Sequence, residues 1–246
     1  MKDYFSGKLR FFGFNDLKKT EHMKSAAIIV AGGSGIRMGG EIPKQFQQIG
    51  GKPIVLWSLE AFYNYDPEIH LILVIPQNHI ELWESLQSEF KPTFKVTVVT
   101  GGEERYHSVQ QGLSVITDED IVAIHDGVRP FIDRTTINRC FEAAHKTGTA
   151  IPVIESVDSI RLLIPDGSRP LKRRDVKRVQ TPQVFRREVI QKAYSQPFKE
   201  GFTDEATVCE MAGFKITLIE GNKLNLKITT PEDMILAAII ATTWND

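Results

Sequence analysis

The chain has 246 residues, 41% of them hydrophobic and 25% charged, with a formal net charge of −1. That is room for one large α/β domain or two small ones, in the composition of an ordinary globular protein, and it excludes the broad positive field that nucleic acid or an anionic membrane surface would need, so anion binding has to be local. Two cysteines, Cys140 and Cys209, lie far apart and outside any CxxC pattern, which argues against a disulfide framework or a structural zinc site and for a reducing compartment, the cytoplasm.

Residues 1–22, "MKDYFSGKLRFFGFNDLKKTEH", mix aromatics with charges and contain no apolar run of signal-peptide length. They read as an extension with no part in the active site. Residues 23–246 read as a single domain. In it the runs "AAIIVA" (26–31), "LILVIP" (71–76), "KVTVVT" (95–100), "IVAIHD" (121–126) and "TAIPVI" (149–154) read as strands. Their near-continuous apolar character is that of strands covered on both faces. Between them lie amphipathic helical segments at 53–65, 79–90, 107–116 and 134–147, the last stopped by Gly148. This alternation predicts an α/β fold: a doubly wound, mostly parallel, Rossmann-like sheet with right-handed crossovers, whose ligands sit beyond the carboxyl ends of the strands. No run approaches the roughly 18–20 uninterrupted apolar residues of a membrane span.

The stretch from Ser159, "SIRLLIPDGSRPLKRRDVKRVQTPQVF", breaks the rhythm. Two short strands around a Pro-Asp-Gly turn predict a β-hairpin arm at about 156–180. An arm with an open edge is stabilised by the same arm of a second copy, so a homodimer is expected. The final helix is predicted to start at "TTPEDM", with Thr230 as N-cap, Pro231 at the first helical position and acids in the first turn.

Each chemistry-bearing stretch admits a plain structural reading beside a functional one. "AAIIVAGGSGIRMGGEIPKQF" (26–46) runs from a strand into a glycine loop followed by Arg37 and Lys44. A dinucleotide fingerprint would need a third glycine after Gly33 and Gly35, and a Walker loop would need Ser or Thr where Pro53 follows Gly51-Lys52; both tests fail. What remains is a longer loop whose backbone N–H groups can cradle a triphosphate, with two cations beside it, rather than a simple turn. "TGGEERYHSVQQGL" (100–113) ends a strand on Gly101-Gly102 and places Ser108 near a helix start, where it is either an N-cap or part of a base-binding turn. "HDGVRP" (125–130) puts Asp126 and Arg129 at a strand end, as a structural ion pair or as a sugar, phosphate or metal site; His125 reads as a packed, hydrogen-bonded histidine and not a general base. Six basic residues from Arg169 to Arg178 are either a solvated face or a reach toward a partner's phosphate. Thr203 in "FTDEA" reads as a helix cap, and Lys227 stands on a short strand in "NLKITTPEDM".

Taken together and in this order, "AGGSGIRMGGEIPKQF", "TGGEERYHSV", "HDGVRPF", "QTPQVF", "TDEA" and "NLKITTPED" make the chain resemble the 2-C-methyl-D-erythritol 4-phosphate cytidylyltransferases, from Ala26 to about the C-terminus. The resemblance implies transfer of a cytidylyl group from CTP to methylerythritol phosphate with Mg²⁺, in a homodimer. It implies that Ala31, Gly32, Gly33, Ser34 and Gly35 hold CTP and that Arg37 and Lys44 stabilise the transition state at the α-phosphate. Gly101, Gly102 and Ser108 would recognise cytosine. Asp126 and Arg129 would face the sugar and the acceptor phosphate, with Asp126 also a candidate metal ligand. Arg173 of a partner's arm, with Arg174 as the alternative register, would bind the acceptor, and Thr203 and Lys227 would complete the site. A ribitol 5-phosphate cytidylyltransferase is the nearest alternative. A non-catalytic nucleotide-binding regulator on the same scaffold is a more distant one.

Overall fold

The computed structural model describes residues 23–32 and 42–244. In chain order, β1 (Ser25–Val30) leads to a small antiparallel pair, β2 (Gln48–Ile49) and β3 (Lys52–Pro53). Then come α1 (Ile54–Tyr65), β4 (His70–Ile75), α2 (Ile80–Phe90), β5 (Thr97–Thr100), α3 (Arg105–Ser114), β6 (Ile121–Asp126), α4 (Arg134–Thr147) and β7 (Thr149–Glu155). The arm strands β8 (Arg161–Ile164) and β9 (Gly167–Pro170) follow, with β10 (Lys177–Val179), β11 (Gln183–Arg186), α5 (Arg187–Ala193), α6 (Glu205–Met211), β12 (Leu218–Glu220) and α7 (Pro231–Ala241).

The central sheet has the order β10-β7-β11-β6-β1-β4-β5, with β12 added alongside β7. Its heart, β6-β1-β4-β5, is parallel throughout. Along β1, Ala27 and Ile29 pack with α1, α2 and α4 on one face, while Ala26 and Ile28 pack with α3, α5 and α6 on the other. Both faces are dry, which is why the strand carries no polar alternation. Gly112 lets α3 approach closely: a Cβ there would stand 2.7 Å from Ile28 and 3.1 Å from Val74.

The doubly wound expectation holds, with one addition. β11 inserts antiparallel between β6 and β7, so these two strands are not neighbours. Its buried apolar pair, Val184-Phe185, is too short to show a strand period. Two boundaries also shift. The strand expected from residue 95 begins at Thr97, and the helix expected from 107 begins at Arg105, so Ser108 lies inside α3 and does not cap it. The caps of α4 and α7 are as read: Gly148 adopts φ 90° and closes onto Ala144 O at 2.8 Å, and Thr230 and Asp233 form a reciprocal capping box with Pro231 at the first position.

The arm is a hairpin, as expected. β8 and β9 form their own two-stranded sheet, turning at Pro165-Asp166 with Gly167 at φ 135°, a conformation that favours glycine. Leu163 on β8 is 82% exposed and Val157 at the arm's base 71%.

Candidate active site

The parallel register brings the predicted loops to one edge. Val30 lies opposite both Asp126 and Val74, and Ile75 opposite Thr100, so β1, β4, β5 and β6 end at a common level. The backbone crosses this edge in step: Ala31 N–H donates to Val74 O at 2.9 Å, Gly101 N–H to Ile75 O at 2.8 Å and Gly127 N–H to Val30 O at 2.8 Å. Ser108 Oγ sits among these turns, 3.2 Å from Gly102 N and 3.3 Å from Gly102 O. A Cβ on Gly101 would come within 2.9 Å of that hydroxyl, one on Gly32 within 3.6 Å, and one on Gly102 would collide with His107. These glycines keep the turn thin enough for a flat ring to lie against backbone.

Lys44 opens a one-turn 3₁₀ helix, Lys44–Phe46. The buried Gln45 ties that turn to the end of β1 by donating to Ala31 O at 2.7 Å. Lys44 is therefore carried to the same strand edge. Gly33, Ser34, Gly35 and Arg37 lie outside the described residues.

Asp126 is the electrostatic centre of the arrangement. Arg129 Nε lies 3.1 Å and Lys227 Nζ 3.0 Å from its Oδ2, and Arg105 Nη2 lies 3.5 Å from its Oδ1. Burial alone would raise the Asp126 pKa, but Arg105, Lys227 and Arg129 outweigh it and hold the carboxyl well below the usual range. Lys227 stays partly exposed while its partner is buried, so its ammonium is anchored at one side and open at the other. Arg129 is fixed further by donating to Asn225 O at 3.0 Å, and Asn225 in turn donates to Thr181 O at 2.8 Å. His125 is fully buried, with Nε2 3.0 Å from Arg129 O and Nδ1 3.1 Å from Thr181 Oγ1. It packs and orients, as expected, and is remote from any role as a base.

Thr203 is exposed just before α6. The cap of that helix is Asp204, which accepts from Thr207 N at 2.9 Å, and not Thr203 as the sequence reading had it. That correction leaves the Thr203 hydroxyl at 3.4 Å from Thr207 Oγ1 and without the capping role. Arg173 donates to Ser159 Oγ of its own arm at 3.4 Å, and Arg174 lies 3.7 Å from Asp175. Within the chain the structure does not bring Arg173 or Arg174 to the Asp126 group. Two residues that sequence reasoning did not single out, Arg105 and Glu205, form a part-buried ion pair beside Asp126. They are 100 positions apart, and no local period links them. Among the described residues, no three His, Cys, Asp or Glu side chains gather to hold a metal ion.

A glycine turn set against backbone, a strand-end carboxylate and convergent cations at the carboxyl edge of a mixed, mostly parallel sheet define an α/β nucleotidyltransferase. Comparison with known proteins narrows the class. Residues 25–243 match the family model of IspD, 2-C-methyl-D-erythritol 4-phosphate cytidylyltransferase. A relative of that name from Phocaeicola vulgatus is 44% identical over 218 residues, 89% of this chain and all of that protein. Another from Porphyromonas gingivalis is 40% identical over 220 residues, 89% of this chain and 98% of that one. Among solved structures, the 4-diphosphocytidyl-2C-methyl-D-erythritol synthase of Anaerococcus prevotii superposes with a TM-score of 0.77 at 27% identity, covering 89% of this chain and 99% of that one. The 2-C-methyl-D-erythritol 4-phosphate cytidylyltransferase from Thermus thermophilus gives 0.72 at 27% identity, covering 89% and 100%. The chain belongs to the 2-C-methyl-D-erythritol 4-phosphate cytidylyltransferase family.

Proposed function

We propose that this enzyme transfers the cytidylyl group of CTP to 2-C-methyl-D-erythritol 4-phosphate, releasing pyrophosphate. The observation that carries the reading is the meeting of Lys227, Arg129 and Asp126 with the Gly101–Ser108 turn at one strand edge, in a chain of this family. The acceptor phosphate is ionised at neutral pH and is itself the nucleophile, so no general base is required. It attacks the α-phosphorus in line, a new P–O bond forms, and the bond to the β-phosphate oxygen breaks. The obstacle is the approach of two anions and the charge that builds on the crowded phosphorus, and cations fixed in advance lower both barriers.

In this reading the turn around Gly101, Gly102 and Ser108 receives cytosine, and Ala31, Gly32, Gly33, Ser34 and Gly35 receive the triphosphate. Arg37 and Lys44 stabilise charge at the α-phosphate. Lys227, steadied by Asp126, stands between that phosphate and the acceptor. Arg129 and Thr203 face the acceptor, and Arg173 reaches it from a partner's arm in a homodimer.

The described residues do not fit a chain-held Mg²⁺. The Asp126 carboxylate already answers three cations, and a dication added there would be repelled by all of them. We place Mg²⁺ on the phosphates of the incoming nucleotide, and no step above depends on it. Among the described residues no helix is long and apolar enough to cross a membrane. With both cysteines free and buried, we place the enzyme in the cytoplasm.

The test is pyrophosphate release with CTP and each acceptor in turn. Turnover is expected with methylerythritol phosphate and not with ribitol 5-phosphate; the reverse preference would overturn the assignment. Lys44→Ala and Lys227→Ala are each expected to lower kcat by roughly 10²–10³, about 3–4 kcal/mol of transition-state stabilisation, in proteins that still fold. Folded variants that retain full activity would remove Lys44 and Lys227 from the catalytic machinery, and a wild-type chain that binds CTP but turns over neither acceptor would instead favour a nucleotide-binding regulator.

A further inference from the structure

The ion pair between Arg105 and the buried Glu205 has no part in the chemistry just described. Arg105 opens α3, three residues after Gly102. Its Nη2 donates to Glu205 Oε2 at 2.9 Å and its Nη1 to Oε1, a two-pronged contact. The same Nη2 lies 3.5 Å from Asp126 Oδ1. Glu205 is completely buried, opens α6 two residues after Thr203, and also accepts from the Tyr194 hydroxyl at 3.2 Å. One guanidinium therefore joins the nucleotide turn, the end of β6 and the loop that carries Thr203.

Stability is a weak account of this pair, because Arg105 keeps 29% of its side chain in solvent while Glu205 is buried, and an ion pair so placed contributes little net. Neutralisation does not account for it either, since Arg129 and Lys227 both lie against Asp126. What differs is the oxygen. The nearest carboxylate oxygen is Oδ2 for Arg129 and Lys227 and Oδ1 for Arg105. The two-pronged bond to Glu205 fixes the guanidinium, so its charge meets Oδ1 from a set direction, which a lysine ammonium would not ensure.

We infer that Arg105 is a positioning residue. It fixes the plane of the Asp126 carboxylate, and through it the seat of Lys227, while its grip on Glu205 holds the Thr203 loop at matching depth. This inference rests on the function proposed above for its kinetic consequence, but not for its structural one.

The test uses the double variant Arg105→Met/Glu205→Met and the single variant Arg105→Lys. The double variant is expected to melt close to the wild-type temperature. It should nevertheless lose about 10²-fold in kcat, the scale of a 1 Å misplacement, with KM for CTP changed less than about threefold. Arg105→Lys, which keeps the charge without the fork, should recover only a small part of that loss. A folded double variant with wild-type kcat would show a purely structural pair. A crystal structure of either variant gives a readout independent of turnover: Lys227 and the Thr203 loop are expected to shift against Asp126. An unchanged 3.0 Å contact between Lys227 and Asp126, with the loop in place, would overturn the inference. If the wild-type enzyme failed to turn over the two substrates, the functional reading would fall, and the crystal structures would still decide this one.

Discussion

His125 illustrates how the strand edge keeps charge where it is useful. Asp126 N–H donates to Thr181 Oγ1 at 3.0 Å, which leaves the threonine hydroxyl to donate to His125 Nδ1 and the Nε2–H to donate to Arg129 O. That chain of bonds is complete with a neutral imidazole, and the tautomer follows from the network. Burial lowers the His125 pKa from its ordinary value to about 4. The sign follows: the unfolded chain takes up the proton first, so stability is whole above the ordinary histidine value and falls as pH drops toward 4. Between pH 7.5 and pH 5 this one residue should remove about 2 kcal/mol of folding stability. Urea unfolding at the two pH values measures it, and His125→Asn should flatten that part of the profile. Asp126 adds no slope in this window, because its depressed pKa keeps it ionised; the stability it contributes is lost in the same direction but only at lower pH, below the ordinary aspartate value. A drop in activity near pH 5 with stability unchanged would point away from both.

At the scale of elements, α3 matters most, because it carries Arg105 and Ser108 into the site while lying flat on the sheet. Gly112 sets how closely it lies. Gly112→Ala would press a methyl group into Ile28 and Val74, where both strands are buried and cannot yield. A loss of about 1–3 kcal/mol is expected in urea unfolding, with a rise in KM for CTP if the helix tilts and carries Ser108 away from Gly102. An unchanged midpoint would mean that the sheet relaxes around it. Sequence reading found the parallel strands because burial on both faces writes itself as unbroken apolar runs. It found the caps of α4 and α7 because cap chemistry is local. It did not find β11 or β12, whose few residues carry no measurable period, and it put the cap of α6 on Thr203 when the neighbouring Asp204 carries the carboxylate that accepts from both the backbone N–H and the hydroxyl of Thr207.

At the scale of the whole molecule, the site residues that could be read from sequence are those at strand ends, where a glycine or a charge interrupts an apolar run. Asp126 and Gly101 announce themselves in that way. The partnership of Arg105 with Glu205 does not, because it joins the first turns of two helices 100 positions apart. The arm raises the same problem between molecules. Its hairpin exposes Leu163 almost fully and carries Arg173 to Ser159 of its own arm and not to the cations around Asp126. If the site is shared, Arg173 and Lys227 that act together come from different copies, and two defective variants can repair one another. Arg173→Ala and Lys227→Ala are each expected to be nearly inactive alone. Mixed and allowed to exchange subunits, half of the dimers would be hybrids, each with one site that has both residues and one that has neither. Activity should then return to about one quarter of wild type. Leu163→Asp, which places a charge on the face expected to meet the partner, should give a monomer by light scattering and abolish the recovery. Mixing that restores nothing, in a preparation shown to contain hybrid dimers, would mean that each arm serves its own site.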